Sequence, residues 1–335
     1  MIAPQQYHDV RIWLEQCRRP LLITHRRPDG DALGPVAALA LLLREWGQDP
    51  RPTLFERCPA RYAFLADLTP WYDWGHDRAR LVAECDAVVI LDTCALPQLE
   101  PVAAYLPRAP RTLVIDHHAT RDPLAQRPGD LCLCDETAGA VALLVAEWMK
   151  TTDVRLTPAI ATGLLVGLGT DCGWFRFTNT DARMLRMAAD LCEAGAPLHA
   201  LYRAIYEQDP PAKLRLLARM LQSLELHAGG KLVVLTLRKA DFAAAGADHT
   251  MTDDLVNEPG RLAGLEATLL FTEEHDGRVH INLRSKNTLD VAALAASFGG
   301  GGHPRAAGAR PLGKWDEVVP RVIAETVAAL NAPPG

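Results

Sequence analysis

Leu21-Leu22-Ile23-Thr24-His25-Arg26-Arg27-Pro28-Asp29-Gly30-Asp31-Ala32 opens on a short apolar run and closes on imidazole, guanidinium and carboxylate groups. An apolar run that short reads as a buried strand, and the Ala- and Leu-rich residues 32–46 behind it read as a helix. The same succession recurs twice. Residues 87–91 run into Asp92-Thr93, and residues 112–115 run into Asp116-His117-His118. Residues 138–150 and 159–168 have the composition of buried helices. Apolar strands without polar alternation, separated by helices, predict an α/β fold whose parallel sheet is flanked by helices on both faces. This larger N-terminal domain is expected over residues 1–195.

The pattern changes beyond it. Pro197, Asp209-Pro210-Pro211 and His227-Ala228-Gly229-Gly230 punctuate two Leu- and Arg-rich helical segments, so residues 196–228 are expected to form a helical linker. Residues 231–237, 265–271 and 279–283 then read as strands, and 291–296 and 315–330 as helices. They predict a smaller C-terminal α/β domain with a mixed sheet over residues 229–335.

Composition narrows the function. The 335 residues carry 35 Lys+Arg against 41 Asp+Glu, a net charge of −6, with no basic stripe or tail. That excludes tracking along a long nucleic acid, while leaving room for a small local anion site. The longest apolar stretch, residues 32–43, is about half of a bilayer span, so no membrane segment is expected. Residues 1–13 lack the basic segment and apolar core of a secretory leader. Eight cysteines without a CxxC pair point to a reducing cytoplasm.

In an open parallel sheet, ligands gather outside the carboxyl ends of the strands. His25, Asp29, Asp31, Asp92, Asp116, His117 and His118 are thus expected to converge, joined by Asp171 in Gly169-Thr170-Asp171-Cys172-Gly173. A lone aspartate at a strand end is commonly a helix cap, and Asp31 could be only that. Recurrence at three strand ends argues instead for a shared site. Carboxylates so assembled raise one another's pKa unless cations neutralise them. Oxygen ligands with some imidazole and no thiolate suit two divalent ions, Mn²⁺ ahead of Mg²⁺ or Co²⁺. Such pairs serve phosphate-ester hydrolysis. In the C-terminal half, Gly299-Gly300-Gly301-Gly302-His303 reads as a backbone cradle for an anion, with Arg284 and His303 adding charge. Trp71, Trp74 and Trp174 read as core before base-stacking residues, and Asn179 as a candidate substrate contact.

Together, His25-Arg26-Arg27-Pro28-Asp29-Gly30-Asp31, Asp92, Asp116-His117-His118 and Asp171 resemble the four motifs of the DHH phosphoesterase superfamily. Arg284-Ser285-Lys286 and the segment from Ser297 through the glycine run to Gly308 resemble the DHH-associated C-terminal domain. The similarity spans nearly the whole chain and is strongest to the nanoRNase and 3′-phosphoadenosine 5′-phosphate phosphatase branch. The resemblance implies that His25, Asp29 and Asp92 hold one ion, and that Asp31, Asp92, His117 and Asp171 hold the other, with Asp92 bridging. It implies that Asp92 and His118 are catalytic, His118 contacting the scissile phosphate, and that Asp116 stands behind as an orienting group. It implies further that His118, Arg284, Ser285, Gly301, Gly302 and His303 bind substrate. Pro35 and Cys172 depart from the family's usual Ser and Thr, and neither departure removes a metal ligand. Pro35, near a helix start, is sterically acceptable.

The expected function is hydrolysis of short RNA or DNA oligonucleotides and dinucleotides to 5′-mononucleotides, with 3′-phosphoadenosine 5′-phosphate as a further substrate. A substrate held at both domains would favour short chains. Alternatives are a phosphodiesterase for cyclic or linear signalling dinucleotides, a single-strand exonuclease, and a non-catalytic nucleotide sensor. A homodimer is compatible with the sequence, which shows no heptad.

Overall fold

A computed structural model describes residues 2–252 and 254–332, which omits the last three residues of the expected C-terminal domain. The chain divides into two units between Gln208 and Asp209. In the first, α1 (Pro4–Glu15) leads into β1 (Pro20–Ile23), α2 (Gly30–Glu45), β2 (Arg51–Leu54), β3 (Tyr72–Asp73) and α3 (Trp74–Glu84). There follow β4 (Ala87–Leu91), β5 (Thr112–Asp116), β6 (Leu131–Cys134), α4 (Val141–Thr151), α5 (Pro158–Asp171), α6 (Ala182–Glu193) and α7 (Leu198–Tyr206). The six strands are parallel, in the order β3-β2-β1-β4-β5-β6.

Alternate residues of the central strands feed two cores. Leu22, Val89, Leu91, Leu113 and Ile115 pack with α2, α4 and α5 on one face. Leu21, Ile23, Val88, Ile90 and Val114 pack with Trp74 and Leu81 of α3 on the other. Both faces are covered, which is why these strands carry no polar alternation. The chain winds outward from β1 to β3, returns to β4 beside β1, and winds the other way. The switch point, where such sheets open a crevice, therefore lies between β1 and β4.

α2 and α5 meet at backbone distance. A Cβ on Gly34 would lie 2.1 Å from the Gly163 carbonyl oxygen, and one on Gly163 would lie 2.7 Å from that of Gly34. The helices run antiparallel, so the start of α2 comes beside the end of α5, where Gly30 abuts Thr170. α2 begins at Gly30, capped by the Asp29 carboxylate. Pro35 is therefore inside the helix rather than at its start, and it has no N–H to donate to the Asp31 carbonyl.

The second unit contains α8 (Pro211–Gln222), β7 (Glu225–His227), β8 (Leu232–Leu237), α9 (Lys239–Ala245), β9 (Ala267–Glu273) and β10 (Val279–Ser285). It continues with α10 (Val291–Ser297), β11 (Gly301–His303), β12 (Ala306–Ala309) and α11 (Trp315–Asn331). Its sheet, ordered β11-β12-β10-β9-β8-β7, is mixed: β8 and β9 are parallel and the other pairs antiparallel. The expected linker is shared between the units. Leu201 and Ile205 of α7 join the first core, whereas Leu216 and Met220 of α8 pack under β8 and β9. Each segment carries an apolar stripe, and each stripe is buried on its own unit instead of bridging solvent. Among the described residues no helix is long and apolar enough to cross a membrane.

Gly34→Ala should force the α2–α5 backbones apart and lower unfolding free energy by about 1–3 kcal/mol. Gly260→Ala, with nothing within 4 Å of the added methyl, should stay within about 0.5 kcal/mol. Urea denaturation of the two variants checks the contrast.

Candidate metal centre

The loops after β1, β4 and β5 and the last residue of α5 bring together the expected side chains. His25, Asp29 and Asp92 form one group, and Asp31, His117 and Asp171 another; within each group the ligand atoms lie within 4.8 Å of one another. A third overlapping group joins His118 to Asp92 and His117. Asp92 stands between. Its Oδ2 is 3.4 Å from His25 Nε2, and its Oδ1 is 3.6 Å from His117 Nε2. The Asp92 backbone sits at φ +62°, a left-handed conformation that aspartate tolerates better than most residues.

Both imidazoles have their other nitrogen engaged. His25 Nδ1 donates to the Arg26 carbonyl at 2.7 Å, and His117 Nδ1 donates to the Ala138 carbonyl at 3.0 Å. Since a carbonyl only accepts, Nδ1 carries a proton, and Nε2 faces a buried carboxylate oxygen in each case. A divalent cation between Nε2 and the carboxylate would draw on a lone pair from each. This donor set fits divalent ions, and the carbonyl behind each ring is the usual orienting partner of a metal-binding histidine.

Asp31 has a structural partner far along the chain. Its Oδ2 accepts from Val141 N at 2.6 Å and its Oδ1 from Ala142 N at 2.8 Å, at the start of α4. The cap of α2 is Asp29, whose Oδ1 accepts from Asp31 N and Ala32 N. Asp171 is held by Asn179, whose Nδ2 lies 3.2 Å from Asp171 Oδ2 and 3.0 Å from the Gly139 carbonyl. Asn179 thus positions a carboxylate. The contact with Asp171 and the Gly139 carbonyl was not legible in the sequence, because that backbone lies forty residues away. Asp116 is fully buried and accepts through Oδ1 from His117 N at 2.9 Å and from His118 Nδ1 at 2.8 Å.

Burial is the main force raising the Asp31, Asp92 and Asp171 carboxyls above their ordinary values. Mutual repulsion adds to it, from Asp92, Asp171 and Asp29 on Asp31, and from Asp29 and Asp171 on Asp92. Burial also pushes Asp116 up, but hydrogen bonds from His118 and Cys94 hold it below the ordinary value. The Asp116 hydrogen bond correspondingly raises His118.

In the second unit the end of the glycine run is built into the sheet. Gly301 and Gly302 lie in the edge strand β11, paired with Gly308 and Ala307. A Cβ on Gly300 would meet the Gly308 carbonyl at 2.2 Å, so the run lets two strands touch. Arg284 and His303 each pair with Ala306, from opposite sides, which puts both side chains on one face in one row. Arg284 Nε donates to Asn257 Oδ1 at 3.1 Å, and Ser285 Oγ donates to the Leu289 carbonyl at 2.7 Å.

A carboxyl with a raised folded-state pKa stabilises the fold while protonated, and that contribution is lost as pH rises through the folded value. Metal-free protein should therefore lose melting temperature as pH climbs from the ordinary aspartate range. A divalent cation should restore it by an increment that grows with pH. Thermal melts in chelator and in Mn²⁺ across pH test this, and superimposable profiles would contradict it. Asn179→Ala should weaken metal binding by ~10- to 100-fold, read by calorimetry.

Residues 20–168 match the DHH family, N-terminal domain, and residues 229–329 match the DHHA1 domain. Over 327 residues the chain is 30% identical to the bifunctional oligoribonuclease and PAP phosphatase NrnA of Thermus thermophilus, covering 96% of this chain and 94% of that protein. It is 27% identical over 308 residues to the Bacillus subtilis protein of the same name, covering 91% and 92%. In fold it is similar to the crystal structure of an exopolyphosphatase-related protein from Bacteroides fragilis. That match has TM-score 0.89 and 20% identity over 98% of this chain and 97% of the other. With its strand-end Asp and His motifs gathered around Asp92 and a DHHA1 domain behind them, the chain belongs to the DHH phosphoesterase family.

Proposed function

We propose that the protein is a two-metal phosphoesterase that hydrolyses short oligonucleotides and dinucleotides to 5′-mononucleotides, with 3′-phosphoadenosine 5′-phosphate as a further substrate. One observation carries the reading: two Nδ1-protonated imidazoles direct Nε2 at the two oxygens of buried Asp92. The names of the Thermus and Bacillus relatives support the substrate class. His25, Asp29 and Asp92 would hold one ion; Asp31, His117 and Asp171, with Asp92 shared, would hold the second. Mn²⁺ is the ion of choice for this carboxylate–imidazole mixture, with Mg²⁺ or Co²⁺ as substitutes. Bound there, divalent ions polarise the phosphoryl oxygen and acidify water.

The chain's own residues do the rest. The α4 N–H groups fix Asp31, Asn179 fixes Asp171, and Asp116 fixes the His118 ring through Nδ1. His118 Nε2 is thereby left for a non-bridging oxygen of the scissile phosphate. The row of Arg284 and His303, with Ser285, Gly301 and Gly302 beside it, supplies the anion-binding set of the second unit. Yielding a 5′-mononucleotide breaks the bond from phosphorus to the 3′-oxygen: water oxygen joins phosphorus, and the 3′-oxygen leaves with a proton. Eight free thiols suit a cytoplasmic enzyme.

Asp92→Asn keeps the side-chain shape and the tolerance for left-handed backbone. Its loss of turnover should exceed the ~10- to 100-fold typical of groups standing behind a ligand. Retained activity in Mn²⁺ would overturn the reading. With 5′-labelled RNA of two to about twenty-four nucleotides, rates should fall as length grows, as expected of an enzyme whose substrates are short chains. A flat or rising profile identifies a single-strand exonuclease, and faster cleavage of a cyclic dinucleotide identifies a signalling phosphodiesterase.

A further inference from the structure

The segment behind Asp171 holds a feature that metal binding does not use. Gly173, Trp174 and Phe175 occupy the left-handed region in succession, at φ +57°, +56° and +67°. Bulky side chains adopt that backbone only where the surroundings impose it. Here the turn is closed by its own hydrogen bonds. Gly173 N and Trp174 N donate to the Thr170 and Gly169 carbonyls, Arg176 N and Phe177 N to the Cys172 carbonyl, and Arg176 Nε to the Gly173 carbonyl.

The turn disposes its aromatic rings unequally. Trp174 lies over Gly169, where a Cβ would come within 2.5 Å of the ring, and packs against Tyr202 and Tyr206 at centroid distances of 5.6 and 5.8 Å. Phe177 lies over Gly173, where a Cβ would come within 2.4 Å of the ring, yet it remains 54% exposed. Its ring is therefore anchored and open at once. Gly173 is two residues from Asp171, at most about 7 Å along the chain. Asn179, two residues past Phe177, ties the segment back to the Asp171 carboxylate at 3.2 Å. The metal-centre carboxylate and the exposed ring are thus parts of one braced turn.

We propose that Phe177 is the surface on which the nucleobase next to the scissile phosphate stacks. The proposal rests on the functional reading above and deepens it. A nucleotide separates phosphate from base by one ribose, a span comparable with that from Asp171 to Gly173. Every base has a π-face, so stacking on an apolar ring is tolerant of base identity. A ring already held by Gly173 loses little freedom on binding, which favours a platform over a mobile side chain.

The test compares a dinucleotide with its analogue lacking the terminal base, using the wild type, Phe177→Ala, Phe177→Leu and Phe177→Trp. Phe177→Ala and Phe177→Leu should raise KM for the dinucleotide by ~10- to 100-fold with kcat little changed. Both should leave kcat/KM for the abasic analogue at the wild-type value, and Phe177→Trp should restore dinucleotide KM. The wild type should prefer the base-bearing substrate by a similar factor. Equal losses on both substrates, or none on either, would overturn the stacking role. A wild type that cleaves both equally well overturns stacking alone, whereas a wild type that cleaves neither overturns the functional reading and the proposal with it.

Discussion

Burial of mutually repelling carboxylates is the constraint on which this structure depends. Asp31 and Asp92 are sealed from solvent beside Asp171, and two imidazole Nε2 atoms are turned onto Asp92. Protonation relieves that repulsion at the loss of charge, and burial together with the neighbouring carboxylates raises these carboxyls above their ordinary values. Divalent cations relieve it at neutral pH. The net charge of −6, which at first argues against nucleic acid, therefore partly records ligands whose charge bound ions would cancel. What it excludes is long-strand tracking, not chemistry on short anions.

The scaffold serves to hold these groups where they would otherwise spread. β1 and β4 are neighbours at the point where the winding of the sheet reverses, so the loops after them open into the same crevice. Backbone contact between Gly34 and Gly163 lays α5 against α2 and carries Asp171 to Asp31. Asp31 then does two things at once. Its oxygens complete the first turn of α4, where the helix dipole favours negative charge, and they face the second ligand group. The helix end thus lowers the cost of a carboxylate that burial raises.

Orienting groups extend this economy outward. The Arg26 and Ala138 carbonyls fix two ring tautomers, Asp116 fixes a third ring, and Asn179 fixes Asp171. In the second unit, Ala306 is small enough to leave Arg284 and His303 side by side across three strands.

Much was legible in the sequence. Apolar runs ending at His25, Asp92 and Asp116 declared a parallel sheet and a strand-end site, because strand burial and side-chain chemistry are both local properties of the chain. Asp171 was legible as a candidate from its glycine neighbours and as a ligand only through the family's motif order. What only the tertiary structure decided were contacts between segments far apart: Asp31 capping a helix that begins at Val141, Asn179 bonding to Asp171 and Gly139, and α7 and α8 joining different cores. Two local readings also needed it. Pro35 proved interior because Asp29 starts the helix earlier than the apolar pattern does, and the glycine run became an edge strand because β12 offered it partners. The sequence by itself determined which titratable groups stand at the strand ends, where they gather into groups that could hold metal ions. Which oxygen faces which nitrogen was decided by packing, since no spacing along a chain specifies where a distant backbone N–H or carbonyl will stand.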